Sequence, residues 1–384
     1  MASGLSSSEK SHELAARPGP AVRRVWLLAN PNAGRGLGKA MSRQVQLELQ
    51  RAGIEVELTT DHPESATPLT LPDACIAIGG DGTQRVVVKR IVELFPDQTP
   101  PLLPVPLGTA NLLAQHLSQP KRLLNMAADQ VQASLPAAGD AMTRLRHFLR
   151  RSLRRIDHDV LTPWSHAVHR QTAPMLRHLS RNWTSRSRSL RSRAAEVVRL
   201  LQTGQRRPLD LPTCNGELFL LMVGVGFDAH VVHRLHQNRV GSISLLHYII
   251  PTAMAALQFD FPALRVSIGG RDVWNERGLV IVANLPPYGT GFPLAPDARG
   301  DDGLLDVVCL PCKSRIELLQ WLGHITTGQH VRHHNARTFR TDAAKVTCDK
   351  QVAVQIDGDP AQTVPLDVTM TPRQIELIGP ARMG

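Results

Sequence analysis

Cys75-Ile76-Ala77-Ile78-Gly79-Gly80-Asp81-Gly82-Thr83 is an apolar run that breaks abruptly into glycines, one carboxylate and one hydroxyl. The apolar half shows no polar alternation, so it predicts a strand buried on both faces, as in a parallel sheet. The break suits a polyphosphate. Glycines let the backbone come close and aim its N–H groups at anionic oxygens, and a helix N-terminus just beyond adds positive dipole. Asp81 stands where a carboxylate can hold a metal ion bound to those phosphates.

Upstream and downstream the same texture repeats. Residues 25–29 (Val-Trp-Leu-Leu-Ala) read as a first strand, ending in Asn30-Pro31-Asn32-Ala33-Gly34 before a helical pattern over 40–50. A second strand is predicted over 54–58 with Thr59 and Thr60 at its end, and a helix over 84–94 follows the opening motif. A fourth strand over 102–105 runs into Pro106-Leu107-Gly108-Thr109-Ala110-Asn111 and another helix over 112–117. Strands alternating with helices predict a Rossmann-like parallel sheet with helices on both faces. The polar turns all fall at the carboxyl ends of the strands, where open α/β sheets bind ligands. Neither the dinucleotide GxGxxG fingerprint nor the Walker P-loop is matched.

In order and separation, Asn-Pro-x-Ala-Gly, Gly-Gly-Asp-Gly-Thr and Pro-x-Gly-Thr-x-Asn resemble the catalytic domain of the bacterial diacylglycerol kinase family, soluble lipid kinases related to sphingosine kinases. The resemblance implies ATP binding by Asn30, Pro31, Asn32, Ala33, Gly34, Thr60, Gly79, Gly80, Asp81, Gly82, Thr83, Gln84, Arg85 and Thr109. The Gly-Gly-Asp-Gly block is shared with NAD kinases, so a soluble acceptor such as NAD is the rival enzyme reading. A catalytically weak, membrane-associated nucleotide-binding protein is the rival from another class.

From residue 217 the pattern turns to short β-prone runs: 218–223, 264–268, 273–274, 279–284, 304–309 and 352–356. Gly269-Gly270 between two of them is a hairpin signal, and helices are predicted over 243–257 and 316–327. Together these predict an antiparallel, sandwich-like second domain. This half adds Gly-Val-Gly-Phe-Asp-Ala at 224–229, Tyr288-Gly289-Thr290-Gly291, the 296–306 block Pro-Asp-Ala-Arg-Gly-Asp-Asp-Gly-Leu-Leu-Asp, and Asp357-Gly358-Asp359-Pro360. The 296–306 block belongs to the lipid kinases rather than to NAD kinases. It implies a Mg²⁺ held by Asp302 with the backbone carbonyls of Arg299 and Leu304.

For the catalytic base the resemblance points to Asp357 and Asp359. Strand alternation would place two side chains two apart on one face. The family carries Glu where this chain has Asp359, and one methylene less draws the carboxylate back by ~1.5 Å, a displacement that matters for catalysis. Gln84-Arg85-Val86 likewise replaces an apolar residue, Asn and Glu, which brings a guanidinium to the phosphate loops. The implied activity is ATP- and Mg²⁺-dependent phosphorylation of the hydroxyl of diacylglycerol or a similar lipid, with Asp81 organising the nucleotide's Mg²⁺.

The net charge of +11 is local. Residues 141–207 hold sixteen arginines against three acids, a net +13, which leaves the rest of the chain at −2. Residues 121–193 have no counterpart in the family and read as an Arg-rich helical insertion. Leu145, Phe148, Leu149, Leu153 and Ile156 form an apolar stripe flanked by arginines, which suits either an anionic membrane surface, with Trp164 and Trp183 at the interface, or an ordinary surface helix that packs its stripe on the protein, with the remainder disordered. No nucleic-acid motif accompanies the charge, so no specific nucleic-acid partner is expected, and a homodimer is compatible with the sequence.

The expected organisation is therefore a disordered tail over 1–21, an α/β nucleotide-binding domain over 22–120, the insertion over 121–193, a β-rich lipid-substrate domain over 194–362, and a strand segment over 363–384 packing on either domain. Apolar residues make up 42% and charged residues 20% of the 384, a globular composition with room for two cores. The tail lacks a secretory apolar core and no run approaches the ~20 apolar residues of a membrane span, so the expected location is cytoplasmic, peripheral at the inner membrane face. Five scattered cysteines form no disulfide framework. Cys309 and Cys312 read as incidental at a strand end, and His330, His333 and His334 as a surface cluster.

Overall fold

The structure is a computed structural model, and it describes residues 22–60, 63–108, 110–117, 190–237, 259–288, 292–326 and 329–381. The expectations for the tail, for most of the insertion, for Thr109 and for the 243–257 helix lie outside the described residues.

The first half alternates β1 (Arg24–Ala29), α1 (Ala33–Arg51), β2 (Glu55–Thr59), β3 (Ala74–Gly79), α2 (Asp81–Leu94), β4 (Leu102–Pro106) and α3 (Leu112–Leu117). Then come α4 (Leu190–Thr203) and β5 (Gln205–Asp210). The sheet has the order β2-β1-β3-β4, continued by a C-terminal strand and then β5. Pairings among β1 to β4 are parallel. Every residue of β3 is buried, which is the environment its unbroken apolar run demands. One face packs Met41, Val45 and Leu49 of α1 with Ala194, Val197 and Leu201 of α4. The other packs Val87, Val88 and Ile91 of α2 with Leu112, Leu113 and Leu117 of α3.

The second half consists of β6 (Thr213–Cys214), β7 (Glu217–Leu218), β8 (Met222–Val225), α5 (Phe227–Gln237), β9 (Ala263–Ile268), β10 (Arg271–Ala283), β11 (Pro287–Tyr288), β12 (Phe292–Pro293) and β13 (Leu305–Pro311). There follow α6 (Arg315–Thr326), β14 (Arg337–Thr341), β15 (Ala343–Thr347), β16 (Val354–Ile356), β17 (Asp359–Ala361), β18 (Leu366–Thr369) and β19 (Gln374–Gly379). All its pairings are antiparallel apart from β19, which leaves for the first sheet. Two runs expected as separate strands, 273–274 and 279–284, are one long strand, β10. Its first part pairs with β9, and its second with β8 and β13, so the sheet curls over itself about β10. Val223, Val225, Val266, Trp274, Val280, Val282, Val307 and Val346 fill the space within the curl. The expected hairpin is present, with Gly269 and Gly270 in the left-handed region at φ 56° and 75°.

The second half lends its last strand to the first sheet. β19 pairs with β4 in parallel and with β5 in antiparallel, so the first sheet takes a strand from each flank of the β-rich segment. The 363–384 segment divides, with β18 in the second sheet and β19 in the first. Leu209, Leu220, Leu221 and Leu285 join the core on the α2 and α3 face, so the segments that lead into and out of the curled sheet pack against that face.

Two smaller expectations are corrected. The 218–223 strand breaks, because the N–H groups of Leu220, Leu221 and Met222 turn to the Asp357 carboxylate instead of a neighbouring strand. His330 is fully buried, with Nε2 2.7 Å from the Leu294 carbonyl oxygen, so it is a core group and not part of a surface cluster. Burial pushes both the Cys309 and Cys312 thiols up to about 12, which leaves them inert at neutral pH.

Candidate active site

Three turns leave the carboxyl ends of β1, β3 and β4 and touch one another. The Asn30 N–H donates to the Ile78 carbonyl at 3.0 Å, and the Leu107 N–H to the Gly79 carbonyl at 2.9 Å. A Cβ on Gly108 would lie 2.4 Å from the Gly80 Cα, so the second and third turns lie glycine against glycine. A Cβ on Gly34 would lie 3.2 Å from the Leu107 carbonyl oxygen, which brings the first turn to the third. Within the first turn Asn30 Oδ1 accepts the Asn32 N–H at 3.0 Å, and the following helix passes so close that a Cβ on Gly38 would overlap the Asn30 carbonyl. The Thr83 side chain fills the place a Gly79 side chain would need, and Asn30 Nδ2 approaches its Oγ1 at 3.4 Å.

Most of the residues implied to bind nucleotide are therefore brought together. Pro31, Asn32, Ala33 and Gly34 lie in or just after the first turn. Thr60 follows β2 at the same edge, beside Thr59, whose Oγ1 accepts the Trp26 indole N–H at 3.0 Å. Gln84 is buried, and its Nε2 donates to the Ala77 carbonyl at 3.0 Å, so its side chain serves β3 rather than the turn surface.

Asp81 opens α2, and its Oδ1 accepts the Leu113 N–H at 3.1 Å. The N–H groups of Asn111 and Leu112 also stabilise its charge, while burial raises its pKa more than these bonds lower it. The carboxylate thus ties the second turn to the start of α3, a shaping role that the sequence did not suggest beside the expected metal role.

The acidic pair is not arranged by alternation. Asp357 and Gly358 form a turn between β16 and β17, with φ 51° and 85°, so the two carboxylates diverge. Asp357 is buried under the N–H groups of Leu220, Leu221 and Met222 at 2.7, 2.8 and 3.0 Å. Burial pushes its pKa up to about 6 against the pull of those donors and of Arg85. Asp359 faces the glycine turn: a Cβ on Gly82 would lie 3.4 Å from its Oδ2. That same oxygen accepts Arg85 Nη2 at 3.0 Å, while Arg85 Nη1 donates to the Ile356 carbonyl at 3.2 Å and lies 3.6 Å from Glu217. Arg85 is thus bound to the acid expected as base, across the joint between the sheets. Behind the turn, Gln355 donates to Asp228 Oδ2 at 2.8 Å and accepts the Gly358 N–H at 2.7 Å. Asp228 belongs to the Gly-Val-Gly-Phe-Asp-Ala block, but nothing in the sequence marks Gln355 as its partner.

The expected metal ligands do not fit Mg²⁺ as the chain stands. Asp302 Oδ1 accepts the Leu304 N–H at 3.1 Å, and its Oδ2 is taken by the Arg340 guanidinium. A cation already occupies the oxygen a metal would use.

Comparison with known proteins agrees with this layout. A family model described as diacylglycerol kinase catalytic domain matches residues 24–143, and one described as YegS C-terminal NAD kinase beta sandwich-like domain matches residues 221–379. A diacylglycerol kinase of Bacillus subtilis is 20% identical over 366 residues, covering 94% of this chain and 97% of its own. One from Mycobacterium tuberculosis is 28% identical over 162 residues, 42% of this chain and 52% of its own. A crystal structure of a diacylglycerol kinase from Bacillus anthracis matches with a TM-score of 0.54 at 14% identity, covering 94% of this chain and 98% of that one, a likeness of fold.

Proposed function

We propose, for a chain that belongs to the bacterial diacylglycerol kinase family of lipid kinases, an ATP- and Mg²⁺-dependent transfer of the γ-phosphoryl group to the hydroxyl of diacylglycerol or a similar lipid. The observation that carries this reading is the position of Asp359. The second domain sets its carboxylate against Gly82, within the turns that would hold a polyphosphate.

Phosphoryl transfer asks the protein for placement, charge neutralisation and a base rather than covalent chemistry. The backbone N–H groups of the three turns and the Thr83 hydroxyl would cradle the nucleotide phosphates. Mg²⁺ would supply charge neutralisation when bound, with Asp81 as the carboxylate within these turns. Asp359 would accept the lipid hydroxyl proton as that oxygen bonds to the γ-phosphorus and the bond to the ADP oxygen breaks. Arg85 positions the acid, and Asp357 fixes the turn that carries it. Relatives named for lipid phosphorylation do not favour a soluble acceptor such as NAD.

The arginines of the insertion would hold the enzyme on anionic lipid, where each basic residue near the surface contributes ~1 kcal/mol. Among the described residues no helix is long and apolar enough to cross a membrane. Deleting residues 123–193 is expected to weaken binding to anionic vesicles and to leave nucleotide affinity unchanged; undiminished vesicle binding would refute the membrane role.

The direct test incubates purified protein with labelled ATP, Mg²⁺ and total lipid extract, followed by chromatography. A labelled lipid is expected, and diacylglycerol added to the extract should increase it. Absence of any labelled lipid, with label passing to NAD instead, would overturn the reading.

A further inference from the structure

We infer that Arg340 is the built-in cation of the Asp302 loop, standing where the resemblance implies a Mg²⁺. The inference concerns the joint between the sheets and is independent of the phosphoryl acceptor. That loop is a fastener. The Asp210 N–H at the end of β5 donates to the Gly300 carbonyl at 2.7 Å, and Asp210 Oδ2 accepts the Gly303 N–H at 2.8 Å. Asp210 Oδ1 also accepts Gln374 Nε2 of β19 at 2.6 Å. A Cβ on Gly300 would lie 2.7 Å from a Leu209 methyl and 2.6 Å from one of Leu285, so the loop is seated tightly on the core that both halves share.

Such a loop concentrates negative charge, and Arg340 answers it from the neighbouring strand. Asp306 of β13 lies opposite Arg340 in the β13–β14 register, so the ladder itself delivers the guanidinium. Its Nη2 bonds Asp302 Oδ2, and its Nε lies 3.7 Å from Asp306 Oδ1. The other Asp306 oxygen is buried and meets no donor, so this carboxylate also depends on the charge beside it. Mg²⁺ requires near-octahedral oxygen ligands at about 2.1 Å. To bind here it would have to displace the guanidinium from Oδ2, and the two like charges would otherwise stand in contact. A tethered cation needs no free-ion concentration to keep the joint closed.

The test is thermal unfolding of the full-length, nucleotide-free protein in EDTA and in Mg²⁺, read by circular dichroism. The wild-type midpoint is expected to be the same in both. Arg340→Gln leaves two carboxylates facing a vacancy; its midpoint is expected to fall in EDTA and to recover as Mg²⁺ is titrated in. Arg340→Lys keeps a charge and is expected to stay insensitive to metal, which preserves the test should the Gln variant not fold. Calorimetric titration of nucleotide-free wild type with Mg²⁺ is expected to show no binding at this loop. A wild-type midpoint that drops on chelation, Mg²⁺ binding abolished by Asp302→Asn, or an Arg340→Gln variant with an unchanged midpoint in EDTA would each overturn the inference.

Discussion

Arg85 Nη2 lies 3.0 Å from Asp359 Oδ2, joining the helix after the glycine turn to the turn that bears the candidate base. The Arg85 side chain is 14% exposed and that of its partner 33%, so the pair is more sheltered than a surface ion pair, and a second bond to the Ile356 carbonyl fixes its orientation. Asp359→Asn is expected to abolish lipid phosphorylation while leaving ATP affinity intact. Arg85→Ala leaves the acid but frees its position, and a misplacement near 1 Å costs about 10²-fold in turnover. Steady-state kinetics beside ATP-binding calorimetry check both. An Arg85→Ala enzyme with full turnover would deny Arg85 its positioning role.

Glycine contact between Gly80 and Gly108 is a tight geometric demand between two turns of the site. Gly108→Ala puts a methyl group 2.4 Å from the Gly80 Cα, backbone against backbone, and one turn must withdraw. Overpacking of this kind costs ~1–3 kcal/mol of stability. Because the turn that withdraws is one that would hold the phosphates, ATP affinity is also expected to weaken. Calorimetry with ATP measures it.

Asp81 joins two turns through the Leu113 N–H, and the bond and the charge are separable. Asp81→Asn keeps an acceptor oxygen and is expected to keep the wild-type urea midpoint while lowering Mg²⁺-dependent turnover. Asp81→Ala removes the acceptor and leaves the Leu113 N–H without it, a loss of ~1–3 kcal/mol. Equal destabilisation by both substitutions would show that the carboxylate charge, not the bond, shapes the turns.

The parallel sheet was legible because strand burial and turn chemistry are written locally. The unbroken run 74–78 has to be buried on both faces, and each glycine-rich break has to follow a strand. What the sequence concealed depends on partners far away in the chain. Asp357 and Asp359 looked like neighbours on one strand face, yet the left-handed turn at Asp357 sends their carboxylates to different elements. The buried carboxylate interrupts a strand 135 residues before it, which no local pattern announces. Arg85 stood out as unusual, but its partner lies 274 residues on and in the other sheet. Arg340 carried no motif at all; only the β13–β14 register places it at the Asp302 loop.

Asp228 makes the fold itself sensitive to pH. It lies in the wall behind the Asp357–Gly358 turn, where a Cβ on Gly224 would lie 2.3 Å from its Oδ2 and Gln355 donates to that oxygen at 2.8 Å. Burial pushes its pKa up to about 7 from 3.8, with the Gln355 bond pulling weakly the other way. Between these two values the native state holds a proton that the unfolded chain has released, so its contribution is greatest at low pH and declines as pH rises through about 7. Asp357, pushed up to about 6, acts in the same direction over a lower window. The urea midpoint is therefore expected to fall between pH 5 and pH 8, at ~1.4 kcal/mol for each pKa unit. Asp228→Asn retains an acceptor for Gln355 and loses the titration, so its midpoint should decline less over that range and exceed that of wild type at pH 8. Parallel pH profiles for the two proteins would show that Asp228 is not the group responsible.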